Sequence, residues 1–121
     1  MAKELLEKRI FGRTGYQVSV ITMGGVGLKY ISQEEADRSI TSAMEHGVNI
    51  IDVAPRYGDA EPKLRPTLQK FRDKFFLAGK TMERTREGAQ KELKRSLERL
   101  GVKSLDLYQM RARSIVKQMR T

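Results

Sequence analysis

The spacing of apolar and polar positions changes several times along the 121-residue chain, and each change marks an element. Lys8-Arg9-Ile10-Phe11 and Tyr16-Gln17-Val18-Ser19-Val20 flank Gly12-Arg13-Thr14-Gly15. The two glycines accept the positive φ angles of a tight connection, so the segment predicts a β-hairpin. The apolar stretch from Val18 to Met23 then runs into Gly24-Gly25-Val26-Gly27. A helix is expected next, with Ser32 as N-cap and Glu35 three residues later in the pattern of a capping box. Ala36, Ile40, Ala43 and Met44 keep helical spacing, and Gly47 supplies the stop. Val48-Asn49-Ile50-Ile51-Asp52-Val53-Ala54 is short, apolar and rich in β-branched residues, as in a strand buried on both faces.

The alternation then repeats. Leu64, Leu68 and Phe71 share one face of a second helix, which leads to a strand at Phe75-Phe76-Leu77-Ala78-Gly79. A longer helix near 86–100 carries Ala89, Leu93, Leu97 and Leu100 on one face, ends at Gly101 and leads to Leu105-Asp106-Leu107-Tyr108-Gln109-Met110. The order is a hairpin followed by β-α-β-α-β-α-β, an α/β pattern whose crossovers imply four parallel strands in one sheet. Met23, Met44 and Met110 fall at apolar positions and are expected in the core. Lys91, Lys94 and Arg95, interleaved with Glu87, Glu92 and Glu98, read as a solvated helix face.

Parallel α/β sheets place their chemistry beyond the C-terminal ends of the strands. That rule selects Gly24 to Gly27, Asp52 with Tyr57, Lys80 and Arg111. The glycine cluster begins like a dinucleotide fingerprint, but its third glycine position is Tyr30 and the helix starts several residues later. No helix N-terminus is thereby aimed at a phosphate, and a flexible turn is the better reading. Asp52 by itself could simply cap a loop. A Lys ending the neighbouring strand, however, could lie beside it and stay charged, because the carboxylate offsets desolvation. Such a Lys next to the Tyr57 phenol would lower the phenol's pKa, letting Tyr57 donate a proton to a carbonyl oxygen gaining negative charge. His46, in the last turn of the first helix, is expected only to complement the helix dipole.

Composition narrows the chemistry further. There are no cysteines and a single His, which exclude a disulfide framework, a thiol nucleophile and a zinc-thiolate site, so no metal is expected. No apolar run spans a membrane, no secretory signal opens the chain, and the expected location is cytoplasmic. The net charge of +9 raises the possibility of an anionic partner. Arg111, Arg113, Lys117 and Arg120 contribute four of the cations within a final stretch that has no acid. No aromatic platform accompanies them, which argues against nucleic acid.

These residues resemble the N-terminal half of the aldo-keto reductases. Phe11-Gly12-Arg13-Thr14-Gly15 with Val18-Ser19 is similar to the family's opening hairpin, which closes the bottom of its barrel. Gly47 to Ala54 followed by Tyr57-Gly58 and Glu61 is similar to its signature around the catalytic Asp and Tyr. Ala78-Gly79-Lys80 resembles the catalytic Lys segment, and Ser96 to Gly101 with Leu105 to Gln109 the approach to strand four. The resemblance implies half of an eight-stranded (β/α) TIM barrel that reduces small aldehydes and ketones with NADPH. It implies Tyr57 as general acid, Lys80 and Asp52 as the groups tuning it, and Asp52 near the nicotinamide end. The family's fourth catalytic position, a His, is occupied by Arg111. Arg cannot be deprotonated and is longer than His, so it neither shuttles a proton nor fits an imidazole-shaped site.

The resemblance covers about residues 9–110, so the expected organisation is a half-barrel over 1–110 and an unmatched basic tail over 111–121. A chain broken near residue 111 would lack the half that grips the cofactor and would be inactive alone. Its open barrel edges would favour self-association. The alternatives are a basic binding or scaffold module, and a non-catalytic subunit.

Overall fold

The computed structural model describes residues 5–111. Strands β1 (Lys8–Ile10) and β2 (Gln17–Ser19) form the hairpin, antiparallel with Arg9 opposite Val18. The rest alternates: β3 (Met23–Gly24), α1 (Gln33–Glu45), β4 (Ile50–Asp52), α2 (Ala60–Phe71), β5 (Phe76–Thr81), α3 (Arg86–Leu100) and β6 (Leu107–Met110). The last four strands form one parallel sheet in the order β3-β4-β5-β6. The expected α/β architecture of hairpin plus four parallel strands is what the chain adopts.

The helix ends follow their sequence signals. Ser32 Oγ accepts the Glu35 N–H at 3.1 Å and starts α1, and Thr85 does the same for α3 by accepting the Gly88 N–H at 3.0 Å. Gly101 ends α3 in the left-handed conformation (φ +69°), the stop that glycine permits without a Cβ clash. His46 occupies the C-cap of α1, where its Nδ1 lies 2.8 Å from the Ser42 carbonyl oxygen.

Side-chain alternation divides the sheet into two faces. Ile51 and Leu77 point toward the helices and join Ala36, Ile40, Leu64, Leu68 and Leu100 in the main core. Ile50 and Phe76 point to the other face, where Val18 and the half-buried Leu107 complete a smaller cluster. The hairpin covers this second cluster at the N-terminal end of the strands. The rings of Phe11 and Tyr16 stand edge-on to Phe76, with centroids 5.3 and 5.0 Å away. Asn49 fastens the hairpin to β4: its Oδ1 accepts the Ser19 N–H at 2.7 Å, and its Nδ2 donates to the Gln17 carbonyl at 2.8 Å.

Several expectations need correction. The apolar stretch from Val18 to Met23 is not one strand; it divides between β2 and β3, with Val20 and Ile21 exposed between them. Phe71 does not share the buried face of Leu64 and Leu68 and is 38% exposed. The inner stripe of α2 continues instead at Arg72, whose guanidinium donates to the Phe75 and Ser104 carbonyls and pairs with Asp106 at 2.9 Å. Met23 and Met44 pack on the main core as expected, but Met110 is 70% exposed, because β6 is an edge strand. Glu92 is not on the solvated face: it is 7% exposed and lies on the inner stripe of α3 with Ser96 and Leu100.

Replacing Asn49 by Ala removes both hairpin bonds and leaves the Ser19 N–H without that acceptor. Urea unfolding is expected to show a loss of about 1–3 kcal/mol. Hydrogen exchange should accelerate at Val18 and Ser19 more than in β5; uniform acceleration would contradict this account of the hairpin.

Candidate active site

Three of the residues selected from sequence meet at the C-terminal end of the sheet. In the β4–β5 register Asp52 lies opposite Ala78, so Lys80, two residues further on, shares its face. The Lys80 ammonium donates directly to Asp52 Oδ1. The lysine side chain is only 15% exposed and the aspartate 38%. The carboxylate gives the ammonium a hydrogen-bonded counter-ion where little water reaches it. Lys80 lies within β5 rather than just beyond it, paired with Gln109 of β6.

Tyr57 reaches the pair from the loop after β4. That loop leaves the sheet through buried Val53 and Ala54, and the Tyr57 N–H donates to the Ala54 carbonyl at 3.2 Å. Lys80 Nζ lies 5.5 Å from the Tyr57 ring centroid. Arg111 arrives from the end of β6, where its N–H donates to the Thr81 carbonyl at 2.8 Å, and its guanidinium carbon lies 5.4 Å from the same centroid. Both cations are close enough to be attracted by the ring's π face. All four candidates, Asp52, Tyr57, Lys80 and Arg111, are therefore brought together.

The glycine segment has a different role from the flexible turn expected. Gly25 is buried, and a Cβ there would approach the Asp52 carbonyl oxygen to 2.9 Å and the Val53 side chain to 3.0 Å. Its missing side chain lets the turn after β3 press against the strand end that carries Asp52. The segment Gly25–Leu28 forms a 3-10 turn, separate from the N-terminus of α1.

Tyr30 was singled out only for displacing a glycine, yet it supports the Tyr57 loop. Its backbone adopts a positive φ of 63°, rare for a residue with a side chain. Its N–H donates to Asp59 Oδ1 at 2.7 Å, and its ring lies so close to Gly58 that a Cβ there would come within 2.9 Å. That hydrogen bond, aided by Lys63 at 3.5 Å, holds the Asp59 carboxyl below the usual aspartate range. Glu92 was also missed. It accepts the Met82 N–H at 2.8 Å, two residues beyond Lys80, and anchors the strand end to α3. The spacing of Glu92, Ser96 and Leu100 at four-residue intervals was the available signal; nothing in the sequence marked the Tyr30 backbone.

The profile of the Aldo/keto reductase family matches residues 20–113. An aldo-keto reductase of Mycobacterium avium is 36% identical over 89 residues, covering 69% of this chain and 31% of that protein. A Pseudomonas aeruginosa protein assigned to the aldo-keto reductases superposes with a TM-score of 0.88 at 25% identity, covering 99% of this chain and 52% of that one. A Klebsiella pneumoniae aldo-keto reductase in complex with NADPH gives 0.75 at 24%, covering 91% and 40%. The chain belongs to the aldo/keto reductase family, a family of oxidoreductases. It spans about half the length of the P. aeruginosa protein and matches about a third of the M. avium one. Its four-stranded parallel sheet matches part of the TIM barrel of these relatives.

Asp52, Tyr57 and Lys80 form a polar group at the strand ends. The glycine turn, by contrast, does not lead into the N-terminus of α1, and that helix start is occupied by the Ser32 side chain. Among the described residues no glycine-helix cradle for a pyrophosphate is formed.

The Asp59–Tyr30 contact gives a pH dependence whose sign is fixed. A carboxyl lowered in the folded chain contributes stability above its ordinary value and loses it as pH falls through the lowered one. Asp59→Asn is expected to lose less stability than the parent between about pH 5 and pH 3. Parallel acid-unfolding curves for the two proteins would contradict the assignment.

Proposed function

We propose that the chain carries the proton-handling part of an NADPH-dependent carbonyl reductase site, with a small aldehyde or ketone as substrate. The observation that carries this reading is the convergence of a charge-paired Lys80 and the Tyr57 ring at the strand ends. Tyr57 is the proton donor to the carbonyl oxygen. Lys80 places its ammonium beside the Tyr57 ring, close to the charge that develops on proton transfer. Asp52 holds Lys80 in place through their hydrogen bond, and stands at the nicotinamide end of the site. NADPH, when bound, supplies the hydride.

Arg111 occupies the fourth catalytic position without the ability to exchange a proton at neutral pH. Proton transfer in this reading therefore rests on Tyr57 alone. The reading also places the protein in the cytoplasm. No described helix is long and apolar enough to cross a membrane.

Turnover by this chain alone is expected to be slow, since the described residues supply no cradle for the cofactor's phosphates. A second reading, a non-catalytic subunit that pairs with another chain, is favoured by the edge strands: β3 and β6 each have one side without a partner strand among the described residues. Two copies pairing along those edges would sediment as a dimer, and a clean monomer would argue against this second reading. The third alternative, a basic scaffold acting through residues 111–121, concerns residues that lie, apart from Arg111, outside those described. So does the proposed division of the chain at residue 111.

With millimolar NADPH and a simple aldehyde, slow oxidation at 340 nm is expected. Tyr57→Phe should reduce it by about 100-fold or more, the range for removing a general acid. If neither turnover nor a change in NADPH fluorescence is seen in the parent, the enzymatic reading is rejected for this chain.

A further inference from the structure

We infer that Arg111 makes this site selective for carbonyl compounds that carry a carboxylate, oxo acids, over neutral aldehydes and ketones of the same size. The inference rests on the reading of Tyr57 as the group that meets the carbonyl oxygen.

Charge at the strand ends is the starting point. Asp52 is taken by Lys80, and Asp59 by the Tyr30 N–H and Lys63. Arg111 forms no ion pair among the described residues; its guanidinium faces the Tyr57 ring. Of the four groups that meet at the site, one acid is set against two cations, leaving a surplus charge of one. A monoanionic ligand matches that surplus, whereas a neutral ligand leaves it uncompensated.

Geometry and residue type then specify the anion. The guanidinium is planar and permanently charged, with a donor fork that fits a carboxylate through two parallel hydrogen bonds. Its strand end is fixed: the Arg111 N–H bonds to Thr81, and its carbonyl oxygen accepts from the Arg84 guanidinium. The guanidinium carbon is 5.4 Å from the Tyr57 ring centroid. A carbonyl held at the phenol oxygen can thus place a carboxylate a few bonds away against Arg111, while Lys80 remains engaged with Asp52. Partial burial limits the water that competes for the guanidinium.

The test is equilibrium binding to the full chain, using 4-oxopentanoate and its neutral methyl ester as probes and ligand-detected NMR as the readout. At low salt the acid is expected to bind about tenfold more tightly than the ester, and the ratio should shrink about threefold or more at high salt through screening. Arg111→Met should bring the two affinities together. Arg111→Lys, which keeps the charge and loses the fork, should retain an intermediate ratio and also shows that a change at residue 111 leaves the chain folded. Equal affinities in the parent, or an undiminished preference in Arg111→Met, overturn the inference. The two proposals fail separately. Loss of neutral-aldehyde turnover in Tyr57→Phe, with equal probe affinities, removes only the role of Arg111. A preference that depends on Arg111 in a chain without turnover removes only the enzymatic reading.

Discussion

The parity of the β4–β5 pairing is the constraint on which the rest of the structure depends. Ile50 lies opposite Phe76, Ile51 opposite Leu77 and Asp52 opposite Ala78. Because successive residues alternate faces, this register sends Ile51 and Leu77 into the helix-covered core and turns Ile50, Phe76, Asp52 and Lys80 to the other side. A slip by one residue would bury Lys80 among the helices and expose Leu77. The hydrophobic demand of the core thereby fixes the position of the ion pair, although no residue of the pair contributes to that core.

Along the face of the sheet away from the helices, character changes from apolar to charged. At the N-terminal end Ile50, Phe76 and Val18 form a dry cluster beneath the hairpin. At the C-terminal end stand Asp52, Lys80 and Gln109. The end beneath the hairpin excludes solvent, whereas the opposite end gathers polar groups that water partly reaches.

Much of this was legible in the sequence because it rests on local rules. Ser32, Gly47 and Gly101 marked helix ends, and the short β-branched run around Ile50 marked a buried strand. The proximity of Asp52 and Lys80 could be anticipated from strand order alone. What escaped were features set by where an element stops or what lies across from it. Phe71 has the right spacing for the core, but α2 ends there, and Arg72 takes the inner position because three acceptors wait for its guanidinium. Met110 is apolar and still exposed, since β6 has no strand on its far side among the described residues. The Tyr30 backbone depends on Asp59 and Gly58, nearly thirty residues away, and no pattern near Tyr30 encodes them.

The buried Glu92 carboxylate gives α3 a role beyond covering the sheet. By receiving the Met82 N–H, it ends the pairing of β5 with a side chain instead of another strand. The helix acts as a gauge for the length of β5. Lys80 is the penultimate residue of the strand so measured, and a change in where α3 seats its carboxylate would move the ammonium along the strand axis without altering any residue of the site.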